Sequence, residues 1–316
     1  MAREFRRVRS DAELREDLDR RLDRVVAESF RQAPPATLYH YTSWGGAEGI
    51  LKNQLFWATA HDCTNDPAEL KSADAIVLRV AQRMKDQMTG SCRGLLQLLI
   101  NGLPTTNVAS VARIYLACFS GARDKHSQWK AYGDGGAGLC LAIPTLAEPY
   151  PSDDFDRAIV RVRYDEAEVA DVVEKSIDRV CKVLAQCLKQ GVPRDNDTAL
   201  YPLNALYRIS GIAALAAKMP KWAPEDEWRV VAVVKPPGDR PLKRTRLDGQ
   251  TVNFIELPLR AVGHRLELVE VIVGPSQDPE EGHRRAAALL QQYGYSTTGL
   301  DAVAIATSAA SDSTAV

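Results

Sequence analysis

Strand-forming and helix-forming segments follow one another along this chain without a regular alternation, and this order constrains the fold most strongly. Runs rich in β-branched and aromatic residues predict strands over 38–42, 55–59, 114–120, 138–143, 159–164, 228–234, 251–257 and 268–273. Apolar residues at helical spacing predict helices over 11–32, 44–52, 67–86, 166–190, 198–218 and 279–292. Because the elements do not repeat as βαβ units, we predict an α+β fold rather than a doubly wound sheet.

Charge, cysteine content and hydropathy disfavour several classes of protein. Lys and Arg number 40 and Asp and Glu number 41, so the net charge does not favour nucleic acid or an acidic membrane surface as a partner. The six cysteines form no CxxC pair and have no zinc-ligand spacing. No apolar run approaches the roughly 20 residues of a membrane span, and none follows the charged N-terminus as in a secretory signal. We therefore expect a cytoplasmic protein without a membrane partner.

The ends of the chain differ in composition from its main body. Ser10 and Glu13 have the spacing of a capping box, in which the hydroxyl and the carboxylate bond the first free amides of a helix. Pro34 and Pro35 end this amphipathic segment. The last residues are small and polar, a composition that does not support a packed core. The predicted division is an N-terminal helix within 1–36, a single α+β domain over 37–305 and a disordered tail over 306–316.

Tryptophan is scarce and unevenly placed. All five tryptophans lie in three polar segments, which also contain three of the histidines: Trp44, Trp57, Trp129, Trp222 and Trp228 within 38–69, 118–138 and 218–230. Aromatic side chains beside convergent polar groups are typical of a pocket that stacks a flat ligand ring. The alternative is that these tryptophans are core anchors adjacent to loops.

Three consecutive acids, Glu225, Asp226 and Glu227, precede the apolar strand WRVVAVV. Such a cluster is usually a solvated turn. Strand periodicity, however, directs Glu227 and Arg229 to one face and Trp228 to the other. A carboxylate at the start of a buried strand is placed for chemistry, and an ion pair with Arg229 could orient it.

The segment HDCTNDPAE contains side chains that can bind metals, among them His61, Asp66 and Glu69. Their spacing fits neither an EF-hand loop nor HExxH. The segment is better explained as a turn into a helix, with Asp66 as N-cap, Pro67 as the first helical residue and Glu69 in the first turn. We therefore predict no metal site, and a metal-dependent hydrolase or nuclease is the least favoured functional class.

Several motifs in a fixed order resemble the bacterial domain-of-unknown-function 2971 family, which includes AbiGi-type abortive infection proteins. The similar segments span roughly residues 37–275 and are LYHYTS, LFWAT, TNDPAE, CFS, QWKAYGDGGAGLCLAI, RVRYDE, KWAPEDEWRVV and VEVIVGP. Each motif is weak alone, but their number and order make the resemblance specific.

The family pattern also resembles a divergent ADP-ribosyltransferase fold, a split, mixed or antiparallel β-sheet with flanking helices that holds NAD in a bent conformation. In such enzymes a first-strand Arg or His, a middle aromatic or Ser-containing element and a late Glu form the site. The resemblance implies His40 and Glu227 as catalytic residues. It implies contacts to NAD from His40, Tyr41, Thr42, Ser120, Trp129 and Tyr132.

These residue types fit the chemistry of NAD cleavage. Breaking the bond between nicotinamide and ribose creates an oxocarbenium-like centre, as in glycoside hydrolysis. A carboxylate on the ribose 2′-hydroxyl binds more tightly as positive charge develops, and Glu227 could act in this way. His40 could hydrogen-bond a ribose hydroxyl or the nicotinamide amide. This interpretation requires His40 and Glu227 to face one cleft; otherwise His40 is a core histidine, and Glu227 pairs only with Arg229.

Two functional classes therefore lead. The first is an NAD-consuming ADP-ribosyltransferase or NAD glycohydrolase that acts in phage defence or as a toxin, with an unknown protein or nucleic-acid acceptor. The second is a non-catalytic module whose aromatic pocket senses a ligand or a phage protein. An antitoxin or a phage protein is a candidate partner in either case.

Overall fold

The computed structural model describes residues 9–63, 69–105, 113–145, 155–234, 241–245, 249–259 and 265–310. The chain divides into two compact units, one of residues 1–31, 66–111 and 163–219 and one of residues 32–65, 112–162 and 220–316. Asp66 and Pro67 lie outside the described residues, as does the side chain of Glu69. Among the described residues, no helix has the length and apolar character needed to cross a membrane.

The first unit is helical. Its helices are α1 (Asp11–Ser29), α3 (Glu69–Gln87), α4 (Gly90–Gly102), α6 (Glu166–Lys189) and α7 (Asn196–Ala216). The predicted capping box of α1 is confirmed, because the Ser10 amide donates to Glu13 Oε2 at 2.8 Å and the Glu13 amide donates to Ser10 Oγ at 3.3 Å. Leu18 and Leu22 of α1 are buried, and this helix packs on α6 and α7. The helix predicted within 1–36 thus packs with other helices of this unit.

The second unit contains a mixed sheet with flanking helices, and the ten strands found among its described residues connect through hydrogen bonds. The strands are β1 (Thr37–Thr42), β2 (Phe56–Ala60), β3 (Ile114–Ser120), β4 (Leu139–Pro144), β5 (Phe155–Arg161), β6 (Glu227–Val234), β7 (Leu242–Thr245), β8 (Thr251–Leu257), β9 (Glu270–Val273) and β10 (Ala304–Thr307). The main path runs β10-β9-β4-β1-β3-β2-β8-β7, and β6 joins β3 to β5. Only β9 and β10 are parallel among the described pairs.

The sheet branches at β3. All seven residues of β3 pair with β6, so β6 occupies one complete edge of this strand. The other edge is divided between β1, which pairs at Ser120, and β2, which pairs at Leu116 and Tyr115. The two strands thus diverge from a common neighbour, and the sheet is split at this point.

Helices cover one face of the sheet and form the main core there. α2 (Trp44–Asn53) contributes Ile50 and Leu51, and α8 (Pro279–Gln292) contributes Leu290. They pack with the strand residues that alternate toward this face, including Leu38, Phe56, Phe119, Leu141, Trp228 and Val230. A smaller cluster of Tyr41, Trp129, Cys140 and Ile272 lies on the opposite face.

Three short elements were not expected from the sequence: strands β7 and β10, and the helix α5 (His126–Tyr132). The tail predicted as disordered from residue 306 begins within β10, which pairs in parallel with β9. Ser308 continues this ladder by donating its amide to the Val273 carbonyl at 2.8 Å. Residues 311–316 lie outside the described part of the chain.

Gly138, just before β4, marks a close approach of three backbone segments. A Cβ at this position would collide with the Thr42 carbonyl oxygen and lie 2.9 Å from that of Gly133. We predict that Gly138→Ala lowers the free energy of unfolding by about 1–3 kcal/mol, because backbone cannot yield as a side chain can. Chemical denaturation measures this. Gly45→Ala on α2 is the control, since no atom lies within 4 Å of its added Cβ; a loss of stability in this variant equal to that of Gly138→Ala would contradict the explanation.

Candidate functional site

The three-acid turn begins a buried strand and is held by backbone hydrogen bonds. A 3₁₀ helix ends at Glu225, and Asp226 has a left-handed backbone with φ of 43°. The Gly121 amide donates to the Asp226 carbonyl at 2.8 Å, and Ser120 Oγ donates to the Glu225 carbonyl at 2.7 Å. This turn buries both flanking carboxylates, with Glu225 7% and Glu227 6% exposed. A left-handed non-glycine residue that joins two buried acids suggests a functional constraint.

Glu227 forms a buried ion pair with Arg229. The Arg229 Nε and Nη2 atoms donate to the two carboxylate oxygens at 2.8 Å and 3.2 Å. Arg229 is only 3% exposed. Trp228, between them, lies in the main core on the opposite face. The predicted facing and ion pair are therefore confirmed.

Register places three polar side chains in a row across three strands. Tyr39 of β1 is directly opposite Ser120 of β3, which is directly opposite Glu227 of β6. Residues opposite one another in antiparallel strands share a face. Two residues along from this row lie Tyr41, Cys118 and Arg229, and we call these six residues the β1–β3–β6 face.

His40 and Thr42 are not on this face. Side chains alternate along a strand, so His40 and Thr42 point away from Tyr39 and Tyr41. Their partners on β4, Leu141 and Leu139, belong to the main core. The expectation that His40 and Glu227 face one cleft is therefore corrected, because the sheet separates the two side chains.

His40 instead fills the branch between β1 and β2. Its ring lies edge-on to Phe56 with centroids 5.2 Å apart, and 5.5 Å from the ring of Phe119. Its Nδ1 is 3.1 Å from the Cys118 carbonyl oxygen, an acceptor that requires Nδ1 to carry the proton. Burial lowers the pKa of His40, and the bond to Cys118 opposes this only in part. His40 is thus a packing residue at the split.

Tyr132 is the exposed aromatic side chain nearest the acids. It ends α5, is 40% exposed and donates its hydroxyl to Glu225 Oε1 at 2.7 Å. Burial, and then the negative charges of Glu225 and Glu227, raise the pKa of Tyr132. Cys118, an exposed residue in β3, also raises the pKa of Tyr132. The face is therefore open to solvent beside Tyr132 and Cys118.

Tyr41 and Trp129 are anchors rather than ligand-facing rings. Trp129 is 1% exposed and lies edge-on to Tyr41, with centroids 4.9 Å apart. The Tyr41 hydroxyl donates to the Ala122 carbonyl at 2.8 Å and accepts from the Lys125 amide at 3.1 Å. The Ser120 hydroxyl also bonds backbone, since it donates to Glu225 and accepts from the Ala122 amide at 3.1 Å. Of the six residues for which the resemblance implies a contact to NAD, only Tyr132 is thus classed as exposed, at 40%.

The described residues contain no group of three or more His, Cys, Asp or Glu side chains that could hold a metal ion. His61 is buried at the end of β2, with Nδ1 3.3 Å from the Ile114 carbonyl oxygen. The side chains of residues 64–69, which include Asp66 and Glu69, lie outside the described residues.

The comparisons with known proteins return no relative: no protein-family model, curated protein or solved structure matches this chain. The resemblance drawn from the motifs stays a prediction that depends on those motifs.

Three residues of the site were not expected from the sequence. Tyr39 and Cys118 lie on the β1–β3–β6 face, and Glu225 bonds Tyr132. The alternation of side chains along β1 could have shown that Tyr39 and Tyr41 lie on the same face, because residues two apart in a strand always do. Cys118 carries no such signal, since the residues before it in its strand, IYLA, show no polar–apolar alternation that would mark it as exposed.

Loss of one partner of the buried ion pair is expected to destabilise the second unit strongly. Arg229→Met removes the guanidinium that bonds both oxygens of the buried Glu227 carboxylate, which costs about 3–5 kcal/mol. Chemical denaturation should show this decrease. The double variant Glu227→Leu/Arg229→Met should recover most of the loss, because apolar side chains of similar size replace a buried pair with little penalty. A double variant as unstable as Arg229→Met would contradict the ion-pair explanation.

The two tyrosines predict a loss of stability at alkaline pH. Burial raises the pKa of Tyr132 and of Tyr41 in the folded protein. The unfolded chain therefore releases these protons first, near the ordinary pKa of about 10, and stability falls as pH rises above it. Tyr41, which is buried, should contribute up to about 1.4 kcal/mol per pH unit there, and Tyr132 should contribute less, because solvent screens the charges around its partly exposed side chain. Urea denaturation against pH should give a shallower slope in Tyr132→Phe than in the native chain, and an equal slope would refute the assignment.

Proposed function

We propose that this protein consumes NAD, as an ADP-ribosyltransferase or NAD glycohydrolase, at the β1–β3–β6 face. Glu227 supplies the carboxylate that stabilises the developing positive charge, and Tyr132 and Cys118 lie beside the bound ligand. The motif resemblance suggests a role in phage defence or as a toxin, with a protein or nucleic-acid acceptor when the ADP-ribose is transferred.

The observation that supports this proposal most is the setting of Glu227. Its carboxylate is oriented by Arg229 at the first residue of β6, and its negative charge helps to raise the pKa of Tyr132, whose side chain is partly exposed. These two bonds fix the plane of the carboxylate, so that a ribose hydroxyl donating to Glu227 would meet an acceptor of fixed orientation.

The chemistry required of these residues is modest. The bond between the nicotinamide nitrogen and the ribose C1′ breaks, the electron pair leaves with nicotinamide, water or an acceptor nucleophile bonds to C1′, and the proton that this nucleophile loses passes to solvent. Glu227 accepts a hydrogen bond from the ribose 2′-hydroxyl. It stabilises the transition state, in which positive charge develops, more than it stabilises the ground state. The exposed part of the Tyr132 ring offers a surface on which the nicotinamide ring can stack.

The branch of the sheet at β3 also supports the proposal, because the fold suggested by the motifs requires a split sheet. The proposal assigns the first-strand position to Tyr39 and not to His40. Tyr39 is the β1 side chain in register with Ser120 and Glu227.

Purified protein is expected to release nicotinamide from NAD, with cell lysate added as a source of acceptors. In protein that circular dichroism shows to be folded, a check needed because the substitution also removes the carboxylate partner of Arg229, Glu227→Gln should lower the rate about 10²–10³-fold, the usual cost of losing one stabilising group at the reacting centre. Nicotinamide measured by liquid chromatography is the readout. Glu256→Gln, at an exposed acid on β8, is the matched control and should keep full activity.

Cys118 provides a test of binding that needs no variant. NAD bound on this face should slow alkylation of the exposed Cys118 thiol by iodoacetamide, followed by peptide mass spectrometry. Protection together with turnover supports the proposal. The proposal is wrong if the wild-type protein does not turn over NAD and if NAD does not slow the alkylation of Cys118, whatever activity Glu227→Gln has.

A non-catalytic ligand-binding module is the second candidate function. The buried ion pair between Glu227 and Arg229 favours it. Arg229 and Glu227 neutralise one another in a nearly fully buried position, which is also how a purely structural pair is built. Protection of Cys118 by NAD without any nicotinamide release, in the presence and absence of lysate, would select this function.

A further inference from the structure

α5 is too short to be stable through its own hydrogen bonds. It spans seven residues, and isolated helices below about 12–15 residues are marginal in water. Its N-cap residue, Lys125, makes no side-chain capping bond. The position of α5, and with it the position of Tyr132, therefore depends on tertiary contacts.

Asp124, two residues before α5, receives hydrogen bonds from two directions. Trp129 of α5 donates Nε1 to Asp124 Oδ1 at 2.7 Å. Ser308 Oγ donates to the same oxygen at 2.6 Å, and the Ala309 amide donates to Oδ2 at 2.8 Å. Burial alone would raise the pKa of Asp124, yet these three bonds hold it below its ordinary value. The carboxylate is thus an ionised junction between α5 and the segment 308–310.

The segment 308–310 is itself fixed to the sheet. Ser308 extends the ladder of β10 by its amide bond to Val273, and the Ala310 amide donates to Ser308 Oγ at 3.1 Å. Ala306 and Ala310 pack against the cluster that contains Tyr41 and Trp129. Small side chains allow this close contact.

We propose that residues Ser308–Ala310 form a latch that acts through Asp124 and Trp129 to position α5 and the Tyr132–Glu225 contact. Asp124, Ser308 and Trp129 are positioning residues in this arrangement, since they act on Tyr132 through the position of α5. The effect of the latch on catalysis depends on the proposed function, whereas its effect on α5 does not.

Hydrogen exchange of the full chain tests the latch directly. The Gln128 and Trp129 amides donate to the Lys125 carbonyl, and the Gly133 amide donates to that of Trp129. In Ser308→Ala these amides should exchange about tenfold faster, the loss expected for one hydrogen bond to a charged acceptor. Amides of β9 and α8 should keep their wild-type rates. Ser308→Thr retains the hydroxyl and should restore slow exchange in α5.

Ser296→Ala is the matched control, because Ser296 is an exposed serine of the same unit whose hydroxyl bonds only the nearby 298 backbone among the contacts described. Unchanged exchange in α5 of Ser308→Ala would overturn the proposal. Faster exchange spread equally over β9 and α8 would also overturn it, since it would mark general destabilisation.

Turnover separates the latch from the proposed function. If the wild type consumes NAD, Ser308→Ala should raise KM for NAD more than it lowers kcat, because Tyr132 contacts the ligand before the reaction. Equal effects on kcat and kcat/KM would contradict positioning through Tyr132. If the wild type neither binds nor consumes NAD, the proposed function fails, and the exchange rates of α5 still decide whether the latch exists.

Discussion

The pairing of β3 with β6 along the whole length of β3 is the interaction on which the arrangement of the second unit depends. Because β6 fills one edge of β3, β1 and β2 have to share the other edge, and the sheet splits between them. The same register places Glu227 opposite Ser120, so it also decides which side chains can act together. His40 then occupies the split, where its imidazole bonds the Cys118 carbonyl between the two points of strand pairing.

Local periodicity explains what could be predicted from the sequence. The alternation in EWRVVAVV is a property of one strand, and it gave the correct faces for Glu227, Trp228 and Arg229. The capping box of α1 depends on residues three apart and was likewise predictable. The boundaries of most long helices and strands followed from apolar spacing for the same reason, within a few residues.

The pairing of His40 with Glu227 failed because it depended on register between strands that are distant in sequence. A shift of one residue moves every side chain of a strand to the other face, and no local pattern fixes that shift. In β1 both Tyr39 and His40 are polar aromatic residues, so the segment LYHYTS gives no preference between them. α5 and β10 escaped prediction since both are short and are stabilised by contacts with distant residues, including those of Asp124.

The ion pair with Arg229 limits how Glu227 can contribute to any reaction. A carboxylate whose charge is partly neutralised by an adjacent guanidinium exerts a weaker field on a developing cation than an isolated one does. Its remaining advantage is orientation, because two hydrogen bonds fix the plane of the carboxylate. Glu227 would then act chiefly as a directed acceptor for a hydroxyl next to the reacting carbon. Geometry around this one residue, including the position of Tyr132 on α5, matters more to such a site than net negative charge does.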